Sequence, residues 1–272
     1  MAKANWREIG VGLVVPVAIV ALWQAAASLG WVNENVLPSP LEVVRKWVAY
    51  LLPLQARLPE VGWWSWALSG ELIVDSLGSM YRVLSGFLVG AGLALPLGLA
   101  MGANKHVYAW FNPLVQLLRP IPPIAYIPLS ILWFGLGNPP AVFLIALGAF
   151  FPVLMNTITG VRQVDNLYLR AARNLGAGRR ALFLRVMLPA AVPYILSGVR
   201  IGIGTAFIVV IVSEMIAVNA GLGFRILEAR EYFWSDKIIA GMISIGLLGL
   251  AIDLAMNRLN NHLLRWHRGL EN

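Results

Sequence analysis

Residues 9–29 run for 21 positions without a charged side chain. A helix of that length rises ~1.5 Å per residue and covers roughly 31 Å, enough to cross the hydrocarbon of a bilayer. Further apolar blocks lie at about 77–101, 107–134, 141–161, 192–217 and 238–256. Together they predict an all-α integral membrane protein with six transmembrane helices. Composition agrees: 59% of residues are hydrophobic and 12% charged, against about 25% charged in soluble proteins. A soluble enzyme, a disordered chain and a nucleic-acid module are excluded, so the net charge of +8 does not imply a nucleic-acid partner. Cysteine is absent, which removes disulfides, thiol nucleophiles and Cys-based metal sites.

Lys3 and Arg7 precede the first block and Ala25-Ala26-Ala27 imitates a cleavage site. A signal peptide's apolar region runs only ~7–15 residues, so the block is read as a retained span. Orientation follows from loop arginines and lysines. The N-terminus, the 102–106 turn, the 162–188 segment and the C-terminus carry twelve, and the opposite loops carry six. The first set is therefore assigned to the cytoplasm, with both termini there. The chain reads as one transmembrane domain over 1–272. It has an N-terminal span at about 9–29, a core at about 71–260 and a cytoplasmic loop at about 162–190. Outside, residues 30–70 hold an amphipathic stretch, Leu41 to Leu52. The Trp63, Trp64 and Trp66 cluster there suits an interfacial aromatic belt.

The cytoplasmic loop carries the most information. Leu167 to Leu175 reads as a short helix, Gly176-Ala177-Gly178 as a turn, and Arg179 onward as a second helical run ending at Leu188-Pro189. Gly176 tolerates the positive φ that ends a helix, and Pro189 suits the first turn of a new one. A compact helix–turn–helix wedge is expected. Its apolar face (Leu167, Ala171, Leu175, then Leu182, Phe183, Val186) needs a partner or a membrane-side shelf.

This loop resembles the signature of the membrane subunits of binding-protein-dependent ABC importers: Glu-Ala-Ala, three residues, Gly, nine residues, Ile, one residue, Leu-Pro. Ala171, Ala172, Gly176, Leu188 and Pro189 fall on the pattern. Arg170 stands in place of Glu and Val186 in place of Ile. The runs Ser76 to Gly86, Arg119 to Pro123, Pro128 to Gly135, Ser213 to Met215 and Leu37 to Pro40 are similar to the nitrate, sulfonate and taurine branch. The resemblance covers about residues 13–265.

The resemblance implies a type I ABC importer permease fold in a bacterial plasma membrane, with a cytoplasmic coupling helix between helices 4 and 5. It implies two copies of the permease, two cytoplasmic ATPase subunits that bind ATP-Mg, and an external substrate-binding protein. Arg170, Ala171, Ala172, Gly176, Ala177, Gly178, Leu188 and Pro189 would then couple to the ATPase. The cargo implied is a small anion such as nitrate, taurine, an alkanesulfonate or bicarbonate. No phosphate-binding loop is present, since none of the four lysines follows a glycine. No cofactor is expected in this chain.

Within the spans, Arg119 is the residue of most interest. A cation at membrane depth is costly unless it is paired or faces a water-filled cavity, and broken helices occur at transporter sites. Arg119 either attracts an anionic ligand or satisfies carbonyls freed by Pro122 and Pro123. Arg119, Pro122, Pro123 and Glu214 are the candidate translocation pathway. Arg82 with Glu214, and Arg200 with Asp253, are candidate interhelical ion pairs. An unpaired Glu214 or Asp253 would instead favour an ion-coupled secondary carrier. Gly86/Gly90, Gly98/Gly102 and Gly198/Gly202 have GxxxG spacing, read as close packing within one subunit rather than a dimer seam. His262 and His267 do not share a helical face, and a metal site is not expected.

Overall fold

The computed structural model describes residues 6–53, 58–60 and 62–264. Lys3, Arg57, Arg265 and Arg268, which entered the basic-residue counts above, and His267 lie outside the described residues. Regular structure among the described residues is helical. The helices are α1 (Trp6–Ser28), α2 (Pro40–Leu51), α3 (Trp63–Ala67), α4 (Glu71–Ala103), α5 (Lys105–Leu118), α6 (Ile127–Phe134), α7 (Asn138–Arg162), α8 (Asn166–Asn174), α9 (Arg179–Leu182), α10 (Leu188–Ala217), α11 (Leu222–Glu231) and α12 (Ser235–Leu263).

Among the described residues, four helices are long and apolar enough to cross a membrane: α4, α7, the run Arg179–Ala217 and α12. The first expected span corresponds to α1, whose described apolar part is the shorter Val14–Ser28. The third span is broken where its prolines lead one to expect a break. α5 ends at Leu118, and the run Pro123–Phe134 leaves it at 83°. Pro120, Pro122 and Pro123 cannot donate backbone hydrogen bonds, and each disfavours helix in the residue before it. The bent pair makes a fifth crossing if it is counted as one span.

One expectation is corrected: the helix that carries the fifth span begins well before Val192, and Pro189 does not open it. Helix runs unbroken from Arg179 to Ala217 over 39 residues. A π segment, Phe183–Met187, sits immediately before Leu188-Pro189, where the Leu188 N–H donates to the Phe183 carbonyl five residues back. The wider turn relieves the ring–carbonyl clash that a proline causes inside an α-helix.

The chain forms two compact units, residues 77–224 with 246–272 and residues 1–76 with 225–245. The first has α7 at its centre. Leu144, Ile145, Ala149, Val153 and Leu154 are fully buried. Glycines let the neighbouring helices approach. A Cβ at Gly86 would lie 2.6 Å from the Ile145 side chain, and one at Gly102 would lie 2.6 Å from Val161. From α10, a Cβ at Gly198 would meet Asn156 at 2.6 Å and one at Gly202 would meet Val153 at 2.9 Å. Gly90 and Gly98 also abut α7. All three GxxxG pairs therefore pack against one helix of the same chain.

The second unit is tied by polar contacts. Ser39 caps α2 in a reciprocal capping box with Glu42, satisfying two backbone donors. Trp47 Nε1 donates to Ser244 Oγ at 2.8 Å. Arg225 pairs with Glu71 at 2.7 Å, Asp75 at 2.8 Å and Glu228 at 2.8 Å. Burial lowers the Arg225 pKa, but its bonds to Asp75 and Glu228 and the charges of Asp75 and Glu71 outweigh this and leave it raised.

Candidate functional site

The loop between α7 and α10 is built from its two ends. Asp165 caps α8 by accepting from the Leu167 N–H at 2.8 Å, satisfying a donor that the first turn leaves free. At the other end Gly176 takes φ +82°. Its N–H donates to the Arg173 carbonyl at 2.9 Å, and the Ala177 N–H donates to the Ala172 carbonyl at 3.0 Å. This crossed pair is a Schellman closure, which reverses the chain within two residues. Gly178 then precedes α9.

The structure divides the apolar face expected of this loop. Leu182 is buried, and Phe183 and Val186 are half-buried at the base of the long helix. Leu167 and Leu175 instead remain 67% and 88% exposed, and no residue of α8 is buried. Arg170, Arg173, Arg179 and Arg180 are exposed around it and form no ion pair with an acidic side chain among the described residues. Arg162 is engaged differently, with its guanidinium 3.6 Å from the centre of the Tyr108 ring. The result is a short, firmly capped helix carrying apolar and basic side chains that nothing among the described residues covers.

The break between α5 and the Pro123–Phe134 run lines a cavity of about 400 Å³. Arg119, Pro122 and Pro123 are brought together there. Across from them stand residues of α7 and α10, including Asn156 and Thr205. The Arg119 backbone closes α5 by donating to Val115 at 2.9 Å. Its side chain is exposed and makes no hydrogen bond or ion pair to the described residues, so it does not satisfy the carbonyls of the break.

Glu214 is not in this cavity. It is fully buried in a polar cluster with Arg82, which is 5% exposed. The Arg82 guanidinium lies 2.6 Å from one carboxylate oxygen. The other accepts from Ser79 Oγ at 2.9 Å and the Gly223 N–H at 3.0 Å. Arg82 Nε donates to Asn138 at 2.7 Å. A buried charge of this kind persists because each oxygen is matched. The cluster ties α4, the start of α7, the end of α10 and the start of α11. Arg200 and Asp253 pair at 2.7 Å with both side chains almost half exposed.

Residues 92–269 match a family described as binding-protein-dependent transport system inner membrane component. The chain belongs to this family. The permease is 37% identical over 269 residues to the putative aliphatic sulfonates transport permease of Bacillus subtilis, covering 99% of this chain and 91% of that one. It is 31% identical to the taurine transport system permease of Escherichia coli over 97% of this chain and 94% of that one. A solved chain of the MetNI methionine ABC transporter, in an inward-facing conformation, superposes with a TM-score of 0.62. It has 18% sequence identity and covers 70% of this chain and 95% of its own. That likeness gives the fold, a type I importer permease. The chain is a multi-pass inner-membrane transport component and not an enzyme.

Sequence reading of the permease missed Asn156 and Thr205 at the cavity, and Ser79 and Asn138 around Glu214. Polar side chains inside otherwise apolar spans were the available signal.

Proposed function

We propose that this chain is the pathway-forming permease of an ATP-driven importer for a small anion of the sulfonate, taurine or bicarbonate kind. Two copies enclose the route, two separate ATPase subunits bind and hydrolyse ATP-Mg, and an external binding protein delivers the cargo. Both termini and the 162–190 loop face the cytoplasm. The observation that carries this reading is α8: a capped helix with Leu167 and Leu175 bare to solvent and a rim of arginines unpaired among the described residues. Exposed apolar patches rimmed by polar residues mark protein-binding surfaces. Here the expected occupant is the ATPase, met by Arg170, Ala171, Ala172, Gly176, Ala177 and Gly178. Leu188 and Pro189 lie in the adjoining long helix, so a push on α8 is delivered directly into a spanning element.

The anion pathway is assigned to the cavity at Arg119, Pro122 and Pro123. Glu214 leaves the pathway set, because its carboxylate is consumed by Arg82, Ser79 and Gly223. The same pairing, with the Arg200–Asp253 bridge, counts against an ion-coupled carrier, which needs a carboxylate free to exchange its ion.

The experiment is purification of the tagged chain from native membranes in mild detergent, with partner masses and stoichiometry measured. Two copies of this chain with two ATPase subunits is the expected result. A chain that comes down alone, under conditions where known importer complexes survive, overturns the reading.

A further inference from the structure

We infer that the cavity at the helix break is a transit site for organic anions with an apolar tail, with Arg119 and Asn156 meeting the acidic head. This rests on the importer reading above and names the cargo class within it.

The charge inventory comes first. Arg119 is the one ionisable side chain among the residues that line the cavity, and no carboxylate accompanies it. Its guanidinium brings five N–H donors, none bonded within the described residues. Asn156 gives one amide N–H to the Pro152 carbonyl at 2.8 Å, which leaves its second N–H for a ligand. Thr205 is already donating to the Ile201 carbonyl at 2.9 Å. The donors therefore suit one anionic group.

The remaining wall is apolar. Leu147, Phe151, Met155 and Ile201 line it, beside Ile121 and the prolines. The volume of about 400 Å³ lies in the usual range for small-molecule pockets, ~300–1,000 Å³. At ~30 Å³ per water it would hold on the order of a dozen waters. A bare nitrate or bicarbonate would fill a small part of it and leave the apolar wall wet. An alkanesulfonate places its charged head on Arg119 and Asn156 and covers the wall with its chain. Each fully buried methylene then strengthens occupancy by about fourfold. Met155 suits a route that passes tails of differing shape, because its side chain repacks readily.

The chain contains no cysteine, so one introduced cysteine is a unique reporter on it. Met155→Cys is prepared in the permease–ATPase complex in nanodiscs, and alkylation by N-ethylmaleimide is followed by the mass of this chain. Butanesulfonate is expected to slow alkylation at concentrations at least tenfold below those needed with methanesulfonate. Nitrate and bicarbonate, at matched ionic strength, should leave the rate unchanged. Adding Arg119→Ala should remove the protection. Ile201→Cys serves as the reporter if Met155→Cys does not assemble. Protection by none of the four anions, equal protection by all four, or protection that survives Arg119→Ala overturns the inference. ATP hydrolysis and import by the unmodified complex are scored separately. A working complex without the protection pattern sinks the transit site alone, whereas a chain with no ATPase sinks the importer reading and the site with it.

Discussion

Substitution of Gly176 tests whether the turn after α8 is what delivers force to the spans. The residue sits at φ +82°, and an L side chain in that region costs roughly 1–2 kcal/mol. A Cβ there would meet nothing within 4 Å, so the penalty is conformational and not a clash. That cost shifts the fraction of loops holding both closing hydrogen bonds by a factor of about 5–30. Asparagine tolerates the left-handed region better than alanine. Gly176→Asn should therefore keep most coupled uptake, and Gly176→Ala should lose several-fold. Gly176→Arg, which also places a bulky cation beside the exposed face of α8, should abolish uptake. All three should insert normally, since the turn lies outside the spans. Uptake in cells is read beside membrane fractionation and ATPase co-purification. A Gly176→Arg chain that imports at the normal rate refutes the reasoning, as does an alanine variant no worse than the asparagine one.

Removing one partner of the buried pair, Arg82→Met, should destabilise the fold by about 3–5 kcal/mol, and adding Glu214→Gln should restore a large part. A double-mutant cycle on unfolding in detergent checks this, and a double variant as unstable as the single would remove the pair from the account. Gly102→Val places new atoms against Val161 and should cost about 1–3 kcal/mol through overpacking; an unchanged melting temperature would count against the α4–α7 seam. Arg119→Ala should lower anion uptake several-fold while ATPase association persists, and unaltered uptake kinetics would leave the residue without a transport role.

The spans were legible because hydrocarbon imposes long uncharged blocks, and α4, α7 and α12 contain the blocks read at 77–101, 141–161 and 238–256. The turn at Gly176 was legible too, since a glycine between two short helical runs has few other uses. The run of prolines after Arg119 marked a break, but not its angle, which depends on packing against α7 and α10. The unbroken passage from Arg179 through Pro189 was hidden for a related reason. Proline often marks a helix start in sequence, and nothing in the spacing shows that a π segment just upstream carries this one inside a continuing helix. Asn156 and Thr205 could not be joined to Arg119 by spacing, because the cavity is assembled from helices far apart in the chain. Glu214 was read both as a pathway residue and as the partner of Arg82; the pair is present, and spacing could not show that Ser79 and the Gly223 N–H take up the other oxygen.

The run Arg179–Ala217 has a mechanical consequence. Its 39 residues make a rod of about 58 Å at ~1.5 Å per residue. One end adjoins the α8 turn, and the other is clamped near Glu214 by Arg82 and by the Gly137 N–H on the Ala217 carbonyl at 2.7 Å. Along its middle the rod lies on α7, with Gly198 and Gly202 against Asn156 and Val153, so it swings with that helix and not alone. A tilt of about 10° of the pair about the Glu214 end would sweep the loop end through roughly 10 Å, so a small rotation of two packed spans becomes a long stroke at the loop.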